Sequence, residues 1–265
     1  RDKVAEESLK KAERALKPGQ PMPQGLSFAN GFHLRHTGRA REALTFFHQG
    51  HVPKDTDWGQ KSIVAMIEIY LMPDGENLWE DGGNDNDRSN APGGDAEQAD
   101  NIIAAESLLP EVSDADRRGV LHGYCMIATK NSEKLQEAVS LLSDIRTAAE
   151  ARMQGVEEAG NEEKNKKDEP EGSQTVQSNS HVPSLVALAM AYHCLRNNPK
   201  VRNCLKLANR PTYTAEEEDD GERGMILLAS TYIETGKLDM AQDLLSKCLD
   251  QNKSSARAWE MMGLI

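Results

Sequence analysis

The sequence predicts an all-α fold in which antiparallel helix hairpins stack into an α-solenoid. Outside two acidic stretches, apolar residues recur at helical spacing, and the alternation typical of a half-buried strand is absent. Short turns that contain Gly separate neighbouring helical segments, which indicates paired helices. A pattern of large and small side chains also recurs after about 34 residues, as expected for a repeat protein.

Twelve helices follow from the apolar spacing. In the turns around Gly38 and Gly236, the glycine can take the left-handed conformation that ends a helix, so the helices on either side are expected to pair. The predicted helices span residues 1–17, 26–37, 40–51, 59–71, 96–109, 117–129, 134–151, 183–195, 199–208, 222–235, 238–250 and 255–265.

Composition limits the classes of function. The 265 residues contain no apolar run of about eighteen residues, so no direct membrane insertion is expected. Four scattered cysteines do not suggest a disulfide framework and favour a reducing, cytoplasmic compartment. The net charge of −12 argues against a nucleic-acid partner, because binding to phosphates needs Lys and Arg. The start at Arg1, with no charged-then-apolar leader, suggests a fragment of a longer chain.

Two stretches hold the whole net charge. Residues 73–100 contain nine acids and one base, and residues 155–181 contain seven acids and three bases. Both are rich in Gly, Asn and Ser and lack an apolar period, so each is predicted to be a flexible, solvated insertion. A helix is expected to resume near Asp95.

The repeated pattern is that of the tetratricopeptide repeat. Small residues in both helices of such a hairpin allow a close approach, and large residues fill the seam between them. Met225 and Trp259 occupy the same position in two successive repeats, 34 residues apart, and the last repeat is cut off inside its first helix. The positions that match the signature are Gly31, Gly38, Ala43, Phe47, Leu188, Ala189, Tyr192, Leu228, Ala229, Tyr232, Gly236, Ala241, Leu245, Trp259 and Gly263.

About five repeats are predicted in this register. The domain organisation is then repeats over residues 1–72, an acidic insertion over 73–100, divergent repeat helices over 101–154, a charged insertion over 155–181, and repeats over 182–265.

Repeats of this kind commonly bind protein segments on the concave surface formed by their first helices. The concave-face positions are Phe28, Phe32, Arg35, Val186, Met190, His193, Ile226, Ser230 and Ile233. They largely lack the Lys, Arg and Asn that capture a peptide carboxylate, and their apolar character instead suits a helix from a partner or from this same protein. The alternative is that tight winding of the solenoid already fills these positions.

Catalytic and metal signals are weak. The acidic run 85–96 resembles the start of a calcium loop but lacks the required Gly and the bidentate Glu. The pairs His33/His36 and His48/His51 lack further zinc ligands nearby in sequence. His122 and Cys125 lack a third group that would orient a base and a nucleophile. No enzyme activity, metal or cofactor is therefore expected.

Two segments resemble the tetratricopeptide repeat protein 21 family. They are DWGQKSIVAMIEIYLMPDGE (57–76) and ERGMILLASTYIETGKLDMAQDLLSKCLDQNKSSARAWEMMGLI (222–265), and the order of elements between them is also similar. The sequence departs from the family in the length and acidity of both insertions and in ending before the last repeats. The positions that carry the resemblance are Trp58, Gly59, Met66, Tyr232, Met240, Ala241, Leu244 and Leu245.

The resemblance implies a non-catalytic scaffold subunit of the intraflagellar transport A complex, in cilia or flagella and at their base. Its expected partners are the WD40-plus-repeat subunits of that complex and transport-train or cargo proteins, and its expected roles are retrograde transport and admission of cargo. The residues alone leave two alternatives, a co-chaperone-like peptide-binding adaptor unrelated to cilia and a regulatory subunit of an enzyme. The acidic insertions could also dock basic tails.

Overall fold

The computed structural model describes residues 2–17, 19–72, 78–79, 94–164, 181–214 and 217–265, with the side chains of residues 2, 94–95 and 153–164 left aside. Across these ranges there are twelve α-helices, one short 3-10 helix and no β-strand. The predicted all-α class is therefore confirmed. The chain forms two compact units, residues 1–129 and 130–265.

In the first unit, the first helices of successive hairpins contact one another, and the second helices pack against them. The helices of this unit are α1 (Asp2–Arg14), α2 (Gln24–His36), α3 (Ala40–Gly50), α4 (Asp57–Leu71), α5 (Gly94–Leu108) and α6 (Ala115–Ala128), with the 3-10 helix at Leu109–Glu111. Here α2, α4 and α6 touch in succession, α3 packs on α2 and α4, and α5 packs on α4 and α6. This is the arrangement expected of stacked hairpins.

The α2–α3 hairpin depends on a close approach at Gly31. A Cβ atom built on Gly31 would lie 2.8 Å from Cε1 of the completely buried Phe47 ring. The turn that follows α2 contains Gly38 at φ +78°, the left-handed conformation predicted for it. Ser27 adds a hydrogen bond of 2.7 Å from its Oγ to the carbonyl oxygen of Phe46. Together these contacts hold the two helices side by side.

The turn that leads into helix α4 is tight. Oγ1 of Thr56 accepts a hydrogen bond of 3.0 Å from the backbone N–H of Gly59 and so caps the helix. A Cβ atom on Gly59 would collide with the carbonyl oxygen of Pro53, which explains a glycine at the third position of the helix. Further along, Ile63, Met66 and Ile67 are completely buried, so α4 is a central helix of its unit.

The second unit repeats the same hairpin construction. Its helices are α7 (Ser132–Lys164), α8 (Val182–Cys194), α9 (Asn198–Ala208), α10 (Glu218–Glu234), α11 (Leu238–Gln251) and α12 (Ala256–Met262). The hairpins α8–α9 and α10–α11 pack through contacts of α10 with both α8 and α9. The turn between α10 and α11 contains Gly236 at φ +71°, as predicted.

Most signature positions lie in the seams of these hairpins. Ala43, Phe47, Leu188, Ala189, Leu228, Ala229, Tyr232, Ala241 and Leu245 are buried. Tyr192 is partly exposed, with Nζ of Lys200 lying 4.8 Å from its ring centroid. Trp259, in contrast, is 57% exposed on α12, and Gly263 directly follows that helix.

The predicted 155–181 insertion is too wide at its helical end, whereas the helix expected to resume near Asp95 is confirmed. Helix α5 begins at Gly94, inside the predicted 73–100 insertion, and α7 continues to Lys164, ten residues into the predicted 155–181 insertion. Glu, Ala and Lys favour helix even without an apolar face, so the charge of residues 155–164 did not mark the end of α7. Leu78 and Trp79 were also placed in a solvated insertion and are instead buried. The remaining insertion residues, except His181, lie outside the described ranges.

Candidate protein-binding surface

Three aromatic rings form a continuous patch on α2 and α4. The ring centroids of Phe28 and Phe32 lie 5.9 Å apart, and those of Phe28 and Trp58 lie 5.4 Å apart. Phe32 is 40% exposed and Trp58 is 44% exposed, whereas Phe28 is partly buried between them. We call Phe28, Phe32 and Trp58 the aromatic strip. It presents apolar area to solvent, a feature that often marks an interaction site.

Helix periodicity and packing against neighbouring residues hold the three rings of the aromatic strip in place. Phe28 and Phe32 are four residues apart and therefore share one face of α2. The Phe28 ring also lies 5.6 Å from the buried ring of Phe47, which anchors it to α3. On α4, the Trp58 indole lies against Gly25, where a built Cβ atom would be 3.3 Å from Cε2 of the indole. A larger side chain at Gly25 would therefore press on Trp58.

Basic side chains lie at both ends of the aromatic strip. Nζ of Lys61 lies 5.4 Å from the centroid of the Trp58 ring, which is within the range of a cation–π interaction. At the other end, the His36 ring meets the Phe32 ring edge-on with centroids 4.2 Å apart. The strip is therefore an apolar surface with a lysine ammonium at one end and an imidazole ring at the other.

A buried carboxylate joins three helices next to the strip. Glu68 of α4 is 2% exposed and accepts hydrogen bonds of 2.7 Å from Nη2 of Arg35 on α2 and from Nη2 of Arg117 on α6. Arg35 was predicted to face a partner, but its guanidinium instead forms this internal ion pair. Glu68 and Arg117 were missed, although an acid inside the apolar run of α4 was a usable signal because buried charges need partners.

In the second unit, most concave-face positions are covered. Val186 and Met190 are completely buried, and His193 and Ile226 are nearly so. The prediction that these four residues bind a partner is therefore wrong. The alternative applies to them: neighbouring helices of the solenoid already fill these positions. Val186, for example, faces Gly224 of α10, where a built Cβ atom would be 3.0 Å from its Cγ2.

Ser230 and Ile233 of α10 remain partly exposed, so a role for them in binding stays a prediction. Phe28 and Phe32 in the first unit are accessible as well.

Burial shifts the pKa values of several titratable groups in the described part of the chain. Burial raises the pKa of the Cys125 thiol, and likewise of the Cys248 thiol, to about 12, which keeps both as neutral thiols. Burial and the neighbouring His51 lower the pKa of His48. Within the described ranges, no three His, Cys, Asp or Glu residues come together as metal ligands. Most of the calcium-loop candidate, residues 85–93, lies outside those ranges.

Among the residues with described positions, none of the helices combines the length and the apolar character needed to cross a bilayer.

The fold and this surface together define a helical-repeat protein of the tetratricopeptide type. A solved structure supports the class: the chain superposes on a thermophilic TPR protein from Thermus thermophilus with a TM-score of 0.51 at 15% sequence identity, covering 91% of this chain and 100% of that one. Residues 104–265 match the family model described as the tetratricopeptide repeat protein 21 C-terminal ARM domain, and residues 2–71 match the TT21 fifth ARM repeats domain. The chain belongs to the tetratricopeptide repeat protein 21 family.

Individual relatives agree with this assignment. The human tetratricopeptide repeat protein 21B is 31% identical over 91% of this chain, and the mouse tetratricopeptide repeat protein 21A is 30% identical over 92% of it. A Caenorhabditis elegans homologue is 22% identical over 98%. The chain spans only 16–18% of the length of these relatives, so it corresponds to one segment of each.

Proposed function

We propose that this chain is a non-catalytic scaffold segment of the intraflagellar transport A complex, acting in cilia or flagella and at their base. It would support retrograde transport and the admission of cargo through protein–protein contacts. Membership of the tetratricopeptide repeat protein 21 family supports the proposal, together with the roles that the sequence resemblance implies.

The observation that carries a binding role is the accessible aromatic strip. Aromatic side chains are enriched at the centres of protein interfaces, because they remove large apolar areas from water at a low cost in conformational entropy. Phe32 and Trp58 each keep about two fifths of their surface exposed, although an apolar side chain in a stacked hairpin would normally be covered. A partner protein would cover this area.

The described chemistry supports a scaffold over an enzyme. The only paired nucleophile and base that the sequence suggested, Cys125 and His122, would need a thiolate. Burial instead raises the pKa of Cys125 to about 12, and its thiol is inaccessible to substrate. Arg35, the one strongly basic concave-face residue, is engaged by Glu68, which also disfavours the carboxylate capture of a co-chaperone-like adaptor.

Co-purification tests the proposal. The full-length protein that contains this segment is expressed with an affinity tag in ciliated cells, with and without residues 2–129. Recovery of the WD40-plus-repeat subunits with the complete protein, reduced by the deletion, supports the scaffold role. Recovery of chaperones alone, with no transport subunit, overturns it. Fluorescence of the tagged protein at the ciliary base or along the cilium checks the proposed location.

A further inference from the structure

We propose that the aromatic strip binds an amphipathic helix of a partner protein, one whose apolar side chains are flanked by carboxylates. The inference rests on the proposed protein-binding function and deepens it by naming the chemistry of the partner segment. Three features of the structure carry it: the shape of the apolar patch, the positive charge of Lys61 at one end and the covering of the corresponding positions on α8.

The shape of the patch suits a helix. The Phe28 and Phe32 rings are 5.9 Å apart, close to the pitch of one helical turn, about 5.4 Å. Trp58 continues the row at 5.4 Å from Phe28. Apolar side chains that recur every three or four residues on a partner helix would therefore meet successive rings. This is the helix-in-groove mode, in which a few anchors per turn provide most of the affinity.

The ammonium group of Lys61 selects the sign of the partner's charge. Lys61 lies over Trp58 at one end of the strip, and His36 lies against Phe32 at the other. Helix α2 contains no acidic residue. Of the two acids on α4, Glu68 is buried in its ion pairs with arginine, which leaves only Asp57 at the exposed start of the helix. Carboxylates beside the apolar anchors of a partner would therefore be attracted, and lysines in the same places would be repelled.

The corresponding positions on α8 do not offer this surface. Phe32 and Met190 occupy the same place in their repeats, yet Phe32 is 40% exposed and Met190 is completely buried. This position is therefore accessible on α2, whereas on α8 neighbouring helices of the chain cover it. A second copy of this chain is the competing occupant, and the sedimentation measurement below tests for it.

Two designed helical peptides test the inference by calorimetric titration of the 265-residue chain at low salt. Both present the same Leu and Phe residues on one face; one carries glutamates beside that face and the other carries lysines. The glutamate peptide is expected to bind more tightly. Phe32→Ser should weaken it by about tenfold or more, as for loss of a buried aromatic anchor. Ile103→Ser, at a side chain that is 63% exposed on α5, is the matched control and should leave affinity unchanged.

The sign of the charge at Lys61 provides a second and independent readout. Lys61 is exposed, so Lys61→Glu should leave the fold intact while weakening the glutamate peptide and strengthening the lysine peptide. Equal affinities for the two peptides, tighter binding of the lysine peptide, or no binding of either would overturn the inference. Sedimentation could instead show that the chain self-associates and that Phe32→Ser abolishes the association. That result would assign the aromatic strip to a second copy of the chain and would also overturn the inference. If neither peptide binds but the transport subunits still co-purify, the scaffold proposal stands and only this inference is rejected. If the glutamate peptide binds but the transport subunits do not co-purify, only the transport role is rejected.

Discussion

The contact between Gly31 and Phe47 predicts that a single methyl group disrupts the α2–α3 hairpin. In Gly31→Ala, the new Cβ atom would lie 2.8, 2.9 and 3.0 Å from three atoms of the Phe47 ring. Carbon atoms prefer separations of about 3.5–4.0 Å, so the ring or the helix must move by roughly 0.7 Å. Such overpacking costs about 1–3 kcal/mol, while Ala gains about 1 kcal/mol over Gly in helix propensity. We expect a net loss of about 1 kcal/mol.

A double-mutant cycle with Phe47→Leu separates the two effects. Leu lacks Cε1 and Cζ, the two nearest ring atoms, so in that background the methyl group added by Gly31→Ala should fit and the helix propensity should dominate. Gly31→Ala is then expected to stabilise by up to about 1 kcal/mol, which makes the two positions couple by about 2 kcal/mol. Native-state hydrogen exchange of the α2 and α3 amides is the suitable assay, because it reports this unit separately. An equal effect of Gly31→Ala in both backgrounds would refute the close packing.

Three further predictions concern the ion pairs, the thiols and a turn. Glu68→Gln removes the buried charge that two arginines share and should destabilise the first unit by about 2–3 kcal/mol. The loss is smaller than for a fully buried ion pair because both arginines are partly exposed. Hydrogen exchange of the first unit measures the loss. Cys125 and Cys248 should react with iodoacetamide more slowly than the partly exposed Cys194 in the folded chain, as peptide mass mapping would show. Gly236→Ala should cost about 1 kcal/mol by chemical denaturation, because Ala must adopt φ +71°.

The thiol prediction has a pH dependence of known sign. The pKa of Cys125 rises from 9.0 to about 12 on folding, so above pH 9 the unfolded chain releases a proton that the folded chain retains. The free energy of unfolding should therefore fall as the pH rises from 9 towards 12. The comparison variant is Cys125→Ala, which should flatten part of this fall.

Other results would contradict these three predictions. Unchanged hydrogen exchange in Glu68→Gln would mean that the ion pairs do not hold α2, α4 and α6 together. Labelling of Cys125 as fast as Cys194 would mean that α6 is not packed as described. Full stability of Gly236→Ala would mean that the turn does not need a left-handed residue; Gly236→Asn, which tolerates that conformation better, is the matched control.

The sequence was sufficient for features that depend on neighbours along the chain. Helix positions follow from apolar period, and the left-handed turns at Gly38 and Gly236 follow from glycine between two helices. The seam residues Ala43 and Phe47 follow from the repeat register, because these small and bulky positions of the second helix pack in the seam of such a hairpin. Residues close in sequence determine these features, so they can be predicted without knowing which distant residues come into contact.

Features that depend on distant partners were not predictable in the same way. Glu68 and Arg35 are 33 residues apart, and Arg117 is a further 49 residues along, so no local pattern connects them. Met190 and Phe32 look alike in the repeat register, yet neighbouring helices cover only Met190. Trp58 was a mark of family resemblance, and only the structure shows that its ring continues the row begun by Phe32 and Phe28.

Site-specific photocrosslinking tests most directly whether the aromatic strip is the docking surface. A photoreactive phenylalanine replaces Phe32 in the full-length protein in ciliated cells, and the same residue at Ile103 serves as the control. We expect position 32 to form a discrete crosslink to a transport subunit or cargo protein, and position 103 to form none. Identical products from both positions, or no product from position 32 while the protein remains in its complex, would contradict the assignment of this surface.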